Sequence, residues 1–211
     1  MDSIPMRPMS DYLRDCISRY PQLSSCEKDM ERAHGAIAAS FRNGGKLLTC
    51  GNGGSASDAG HIMGELMKSF RAKRRVDENV RKVLGDVADG LQGALPTISL
   101  PDFISINTAY ANDNDPYYCF AQLVYGLGNV GDSLLCISTS GNAKNINIAA
   151  SVAKAKGISV IGLTGVNGGD LAPRCDICIK APETVTHKIQ ELHLPIYHTL
   201  CLMLEQTFFG E

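Results

Sequence analysis

The sequence lacks the features that mark several large classes of protein. No apolar run approaches the length of a membrane span, and the first ten residues, MDSIPMRPMS, hold no apolar stretch of the kind that a secretory signal needs. The formal net charge is -2 at pH 7, so no basic excess favours binding to nucleic acid or to an anionic membrane. We therefore expect a cytoplasmic protein with neither of these as a partner.

Two common nucleotide-binding patterns are also missing. No segment matches the GxxxxGK[ST] pattern of a P-loop, which argues against a nucleotide triphosphatase. The stretch GNGGSASDAG (residues 51–60) lacks the spacing of GxGxxG, and no ribose-binding acid follows at the expected distance. The sequence therefore predicts no nucleotide cofactor.

Eight cysteines are scattered along the chain, mostly inside apolar runs. A secreted disulfide framework is short and rich in loops, so reduced and buried thiols are the better interpretation. Cys175 and Cys178 form a CxxC pair, but Cys175 shares its parity with Ile177 and Ile179, as the buried face of a strand would. This parity, and the lack of a second pair, favours a structural role over a zinc knuckle or a redox motif.

Short apolar strands alternate with helical segments over most of the chain. Continuous apolar strands in such an alternation predict a parallel sheet covered on both faces. We therefore expect an α/β fold, a three-layer α/β/α sandwich formed by a single domain over residues 1–211. A long C-terminal helix is predicted from about Thr184 to Phe209, interrupted at Pro195. The predicted strands are residues 46–50, 94–100, 132–138, 158–165 and 175–180.

Two segments lie outside this alternation. Residues 1–43 predict an N-terminal helical arm, whose second helix begins with a capping signal at Ser24 and Glu27 and contains His34 as a partly buried helix residue. The charge run from Arg71 to Lys82 is typical of a solvated surface helix. A cationic lid near an acidic substrate is the alternative for this run.

Two loops rich in glycine and hydroxyl groups follow predicted strands. GNGGSAS (residues 51–57) follows the strand that ends at Cys50, and STSGNAKN (residues 138–145) follows LLCI. Parallel sheets bind ligands beyond the carboxyl ends of their strands, and backbone amides at a helix N-terminus favour an anion. Glycine and serine also make ordinary turns, so each loop alone has a plain structural explanation. Together they favour a phosphate site.

Histidines and carboxylates recur at helical spacing. His61 and Glu65 are four residues apart after the first loop, so they share one face of a helix. Gln190 and His198 are eight apart on the last helix and can border one groove, whereas His193 lies on the far flank of Gln190. For each histidine the alternative is a partly buried imidazole with a structural hydrogen bond.

The motifs CGNGGSASDAGHIMGEL, AND, ISTSGN, LTG and KIQELHLPIYH occur in this order. In this order they resemble the sugar isomerase (SIS) fold and, within it, the phosphoheptose isomerases. The resemblance covers most of the chain and departs in a charged helical insert at about residues 71–90, which is longer than the family pattern. It implies conversion of sedoheptulose 7-phosphate to D-glycero-D-manno-heptose 7-phosphate through an enediol, the first step of bacterial heptose biosynthesis.

The resemblance also implies roles for individual residues. Glu65 would be the base and His198 the complementary acid/base. A zinc ion would be held by His61, Glu65, Gln190 and His198. A homotetramer is expected, with sites at subunit interfaces. The phosphorylated seven-carbon substrate would be bound by Asn52, Gly53, Gly54, Ser55, Glu65, Asn112, Asp113, Ser138, Thr139, Ser140 and Gln190.

Two departures keep other functions open, the charged insert and Ala143. The family usually has a further hydroxyl where this chain has Ala143, and the neighbouring Lys144 could compensate for that lost phosphate contact. An isomerase of another phosphosugar is therefore one alternative. A non-catalytic SIS-fold protein, which binds phosphosugars or associates with a replication initiator, is the other, although such relatives tend to lose the pair kept here as Glu65 and His198.

Overall fold

The protein is described by a computed structural model over residues 8–210. Most of residues 1–10, in which the sequence predicts no secretory signal, lies outside the described residues. The described residues form five strands, β1 (Leu47–Cys50), β2 (Thr97–Ser99), β3 (Ser133–Ile137), β4 (Ser159–Gly165) and β5 (Ile177–Ala181). They make one parallel sheet in the order β2–β1–β3–β4–β5. Each strand coincides with an apolar run of the sequence, and all five residues of β3 are buried.

Helices cover both faces of the sheet. They are α1 (Met9–Arg19), α2 (Glu27–Arg42), α3 (Gly54–Met67), α4 (Glu78–Leu84), α5 (Ile104–Asp113), α6 (Cys119–Leu127), α7 (Lys144–Ala155) and α8 (Thr186–Phe209). One apolar cluster lies between the sheet and α1, α2, α3 and α8, and a second lies between the opposite face and α6 and α7. The predicted three-layer α/β/α architecture is therefore confirmed. Within the described residues, no helix combines the length and apolar character needed to cross a membrane.

The predicted capping signal at the start of α2 is wrong. Pro21–Cys26 forms a 3₁₀ helix, α2 begins at Glu27, and no side chain caps it. Leu23 and Cys26 are buried three residues apart, which is the spacing at which side chains of a 3₁₀ helix fall on one face. Burial of this face leaves Ser24 exposed to solvent instead of placing it at the cap.

Two further differences concern α8 and α5. The last helix continues through Pro195, which is buried among neighbouring helices and whose carbonyl accepts a 2.7 Å hydrogen bond from Thr199 Oγ1. Packing of α8 against α1, α2 and α3 therefore compensates for the backbone hydrogen bond that proline, which lacks an N–H, cannot donate. Helix α5 has no counterpart in the sequence prediction, because none of its residues is buried and it presents no apolar stripe to this chain.

The prediction that Cys175 shares a buried strand face with Ile177 and Ile179 is also wrong. Ile177 and Ile179 pack into the cluster beneath α1, α2 and α8, whereas Cys175 packs against the cluster on the opposite face. Cys175 lies before β5, where its amide donates to the Ala172 carbonyl in a turn, so the alternation of the strand does not extend to it. All eight cysteines are unpaired.

The charged insert is only partly the solvated helix that was expected. Helix α4 begins after Asp77, whose side chain accepts hydrogen bonds from two amides of the first turn, and it has no buried residue. Residues 71–76 are not helical. Arg74, in the middle of the charge run, is buried and lies against α8, so that part of the prediction is wrong.

Arg74 and Glu205 form a buried ion pair between the insert and α8. Their Nε–Oε1 distance is 2.8 Å, and their side chains are 0% and 2% exposed. The guanidinium also donates to the carbonyls of Glu65 and Leu66 at the end of α3. Further donors to the carboxylate satisfy its remaining lone pairs, as a buried charge requires. These donors are the amides of Phe70, Arg71 and Ala72.

We predict that Glu205→Gln lowers the free energy of unfolding by about 3–5 kcal/mol, because it leaves the Arg74 charge buried without its partner. Urea denaturation followed by circular dichroism measures the change. Asp89→Asn is the matched control, since it breaks the half-exposed pair of Arg81 and Asp89. The control should cost less than about 1 kcal/mol. Equal losses in the two variants would contradict the assigned role of the buried pair.

Candidate functional site

The two predicted phosphate loops meet at the carboxyl edge of the sheet. Strands β1 and β3 are neighbours, with Cys50 beside Cys136, so the loops that follow them emerge next to each other. The side chains of Asn52 and Asn145 join the loops by two reciprocal amide hydrogen bonds of 2.9 and 2.8 Å. The edge of the sheet therefore presents one continuous surface formed by both loops.

The first loop is tightly wound by its glycines. Gly53 has a φ of 55°, a region that favours glycine, and a Cβ on Gly51 would lie 2.3 Å from the Ser55 carbonyl oxygen. A Cβ on Gly54 would lie 2.5 Å from Gln190 Nε2. The Gln190 side chain of α8 therefore rests directly on the start of α3, where the positive end of the helix dipole favours an anion.

The second loop places hydroxyl groups at the start of α7. Ser138 is buried, Ser140 is exposed, and the Thr139 carbonyl accepts a hydrogen bond from the Gly165 amide. Ala143 precedes α7 and provides no side-chain cap. Lys144 does not turn toward the hydroxyls of the loop, because its Nζ lies 4.2 Å from the centre of the Tyr117 ring.

Helices α3 and α8 bring the candidate acid and base groups together. His61 Nε2 lies 3.2 Å from Glu65 Oε1 and 3.4 Å from His198 Nε2. Glu65 is mostly buried, with 13% of its side chain exposed, and its second oxygen lies 3.1 Å from Lys68 Nζ. Two close side-chain contacts thus connect Glu65 to His198 through the His61 imidazole.

Tyr197 and Asp58 belong to the same site, and the sequence analysis missed them. The Tyr197 hydroxyl donates to Asp58 Oδ1 at 3.3 Å, so its oxygen can accept from His61 Nδ1–H at 3.0 Å. The other ring nitrogen of His61, Nε2, faces Glu65 and His198. Burial raises the pKa of Tyr197, which keeps the phenol protonated, and burial also raises the pKa of Asp58.

The other histidines differ from His61 in their surroundings. Burial, reinforced by His61, lowers the pKa of His198, whereas the Glu65 carboxylate opposes this shift. His193 is fully buried on the far side of α8, where Nε2 lies 3.2 Å from the Thr164 carbonyl and burial lowers the pKa to about 4. His34 is also buried, and it hydrogen-bonds Thr207 at 2.9 Å.

Asn112 and Asp113 lie apart from this cluster. Both are on α5, where the Asn112 amide donates to Asp113 Oδ1 at 2.9 Å. Helix α5 packs on the flanking Pro116–Tyr118 turn and on α6. Among residues 8–210, neither side chain hydrogen-bonds to α3, α7 or α8. The remaining predicted site residues lie in the two loops or on α3 and α8.

Comparison with known proteins gives a consistent result. Family models described as SIS domains match residues 11–86 and 120–205. A phosphoheptose isomerase of Rhodospirillum rubrum is 39% identical, over 90% of each chain. The structure of a phosphoheptose isomerase from Francisella tularensis superposes with a TM-score of 0.76 at 31% identity, covering 94% of this chain and 96% of the other.

A second solved structure, phosphoheptose isomerase GmhA from Neisseria gonorrhoeae, has a TM-score of 0.71 and is 29% identical, with 91% of this chain and 94% of the other covered. The residues matched by the family models include both loops, all of α3 and α8 up to residue 205. The chain therefore belongs to the phosphoheptose isomerase family of SIS-domain proteins.

Proposed function

We propose that this protein is a ketose–aldose isomerase that converts sedoheptulose 7-phosphate to D-glycero-D-manno-heptose 7-phosphate, the first step of bacterial heptose biosynthesis. The observation that carries the proposal is the junction of α3 and α8, where Glu65, His61 and His198 lie together and α3 begins at the first of the two joined glycine- and serine-rich loops. The names of its relatives supply the substrate. All eight thiols are unpaired, which supports a reducing compartment such as the cytoplasm.

The two loops hold the phosphate end of the sugar. Hydroxyls of Ser55, Ser138 and Ser140 and the amides that begin α3 and α7 supply donors without a lysine. Because Ala143 adds no hydroxyl to this set, an isomerase of another phosphosugar is the second candidate function. The two candidate functions differ in the length of the sugar that must reach from these loops to Glu65.

The reaction moves a proton between C1 and C2. Glu65 removes the proton from C1 of the ketose and the electrons of that C–H bond form the enediol, after which protonation at C2 gives the aldose. His198 transfers protons between the two oxygens. Its lowered pKa keeps the imidazole neutral near pH 7, so that it can accept one proton and return it.

We predict that the protein exchanges carbon-bound hydrogen of sedoheptulose 7-phosphate in deuterated water, with label at C1 of the ketose and C2 of the aldose. Glu65→Gln should lower the exchange rate by about 100-fold or more, because the amide cannot accept the proton. Nuclear magnetic resonance or mass spectrometry measures the label.

Glu31→Gln, on the exposed face of α2, is the matched control and should exchange like the wild-type protein. If wild-type protein exchanges no hydrogen but binds the sugar, the non-catalytic alternative is correct. Exchange with another ketose phosphate, and not with the heptulose, would favour the second candidate. Undiminished exchange by Glu65→Gln would show that the base is a different residue.

We propose that a zinc ion binds between α3 and α8. Ligand atoms of a tetrahedral zinc ion lie about 3.3 Å from one another. His61 Nε2 is 3.2 Å from Glu65 Oε1 and 3.4 Å from His198 Nε2, which suits two edges of such a site. Within residues 8–210, no group of three His, Cys, Asp or Glu side chains is placed to hold a metal ion, so zinc binding requires these side chains to move and Gln190 to join them.

The second ring nitrogen of His61 supports the metal proposal. A neutral His61 that donates Nδ1–H to Tyr197 would present its Nε2 lone pair to the metal, an arrangement common behind metal-ligating histidines. A bound zinc ion would polarise the substrate carbonyl and stabilise negative charge on the enediolate. Glu65 has one oxygen toward His61 and the other toward Lys68, so one can bind metal while the other accepts the proton.

We predict that purified wild-type protein contains zinc, measured by elemental analysis, and that His61→Ala lowers zinc affinity at least about 10-fold. His187→Ala is the control, because His187 is exposed at the start of α8 and is not one of the proposed ligands. Equal zinc content in all three proteins would rule out His61 as a ligand.

We propose a homotetramer in which α5 of one subunit completes the site of another. None of the ten residues of α5 is buried, and Ile104 remains 70% exposed. A 610 Å³ apolar groove runs between Phe103, Ile106 and Leu127. An exposed apolar surface of this kind is typical of a subunit interface. Asn112 and Asp113 would then reach the sugar hydroxyls of a neighbouring subunit's substrate.

We predict that analytical ultracentrifugation gives a tetramer and that Ile104→Glu, which places a charge in the groove, yields smaller species with at least about 10-fold lower activity. Val130→Glu is the control, because Val130 is 84% exposed in the loop before β3, at the amino ends of the strands. A fully active monomer would contradict the proposal.

A further inference from the structure

The sulfurs of Cys175 and Cys178 approach the same point on β4. Gly162 pairs with Cys178 in the parallel register of β4 and β5. A Cβ on Gly162 would lie 2.7 Å from Cys175 Sγ and 3.1 Å from Cys178 Sγ. The missing side chain at Gly162 therefore provides the space in which the two thiols of the CxxC pair lie together.

The pKa values of the two thiols are shifted in opposite directions. Contact with Cys175 lowers the pKa of Cys178 to about 7, with help from the Thr164 hydroxyl and Lys180, while burial and Asp29 oppose the shift. The same contact, together with burial, raises the pKa of Cys175. Cys178 Sγ lies 3.7 Å from Thr164 Oγ1, and both cysteines are only partly buried. One thiol is thus the better nucleophile, and its neighbour remains protonated.

The other cysteines lack this combination of features. Cys50 and Cys136, in the same row across the sheet, lie 3.8 Å apart but are fully buried, so an oxidant cannot reach them. Burial raises the pKa of the thiols of Cys16, Cys26, Cys119 and Cys201.

We propose that Cys175 and Cys178 are a reversible redox pair that hydrogen peroxide or another hydroperoxide oxidises to a disulfide. The Cys178 thiolate attacks the peroxide oxygen and breaks the O–O bond, which gives a sulfenic acid and releases water after protonation. Cys175 then attacks that sulfur, the S–O bond breaks, and a second water leaves as the disulfide forms. Peroxide is reduced by two electrons and the dithiol is oxidised by two.

The chain offers a direct assay. Arg174 and Lys180 flank the pair, so trypsin releases both cysteines in one peptide, CDICIK. Reduced protein is treated with about one equivalent of hydrogen peroxide, alkylated, digested and analysed by mass spectrometry. We expect this peptide two hydrogens lighter and unalkylated, restored by dithiothreitol, with a rate of formation that rises with pH as the Cys178 thiol ionises.

Variants assign the two roles and control for other thiols. Cys175→Ser should stop at a dimedone-reactive sulfenic acid on Cys178, and Cys178→Ser should leave Cys175 unoxidised. Cys119→Ser removes the other partly buried thiol and should not change oxidation of the pair. Recovery of a doubly alkylated wild-type peptide, or of Cys178 sulfinic acid beside an alkylated Cys175, would overturn the proposal. These wild-type measurements decide the question even if a variant does not fold.

Discussion

The structure depends on the attachment of α3 to α8 across the carboxyl edge of the sheet. At one end of the junction, Gln190 rests on Gly54, and at the other the buried pair of Arg74 and Glu205 ties the last carbonyls of α3 to α8. Between these two points His61 meets His198. The buried ion pair contributes positional constraint, because any shift of either helix would expose or unpair a buried charge.

This attachment explains how loops and helix ends that are common in α/β proteins form a candidate active site here. Parallel strands place the two loops side by side, and helix amides there attract an anion, but neither feature supplies a base. The base comes from the middle of α3 and its partner from the middle of α8, both held above the loops by contacts remote from the reacting groups. The redox pair, Cys178 on β5 and Cys175 just before it, lies on the other side of the sheet and does not share these contacts.

The parts of the site that the sequence predicted are those with a local signature. The strand–loop–helix pattern predicted both loops, and the four-residue spacing predicted a shared face for His61 and Glu65. Burial of Arg74 was not predictable, because it depends on a carboxylate 131 residues away in the chain. The role of Tyr197 likewise depends on contacts with α3, and α5 has no buried face by which this chain alone could define it.

The most direct test of this account is a double-mutant cycle on kcat/KM with Glu65→Gln, His198→Gln and the combined variant. If α3 and α8 form one catalytic unit, the losses are strongly non-additive and the combined variant is about as impaired as the worse single variant. If the losses multiply as for independent sites, Glu65 and His198 do not act on the same substrate molecule, and the account is wrong.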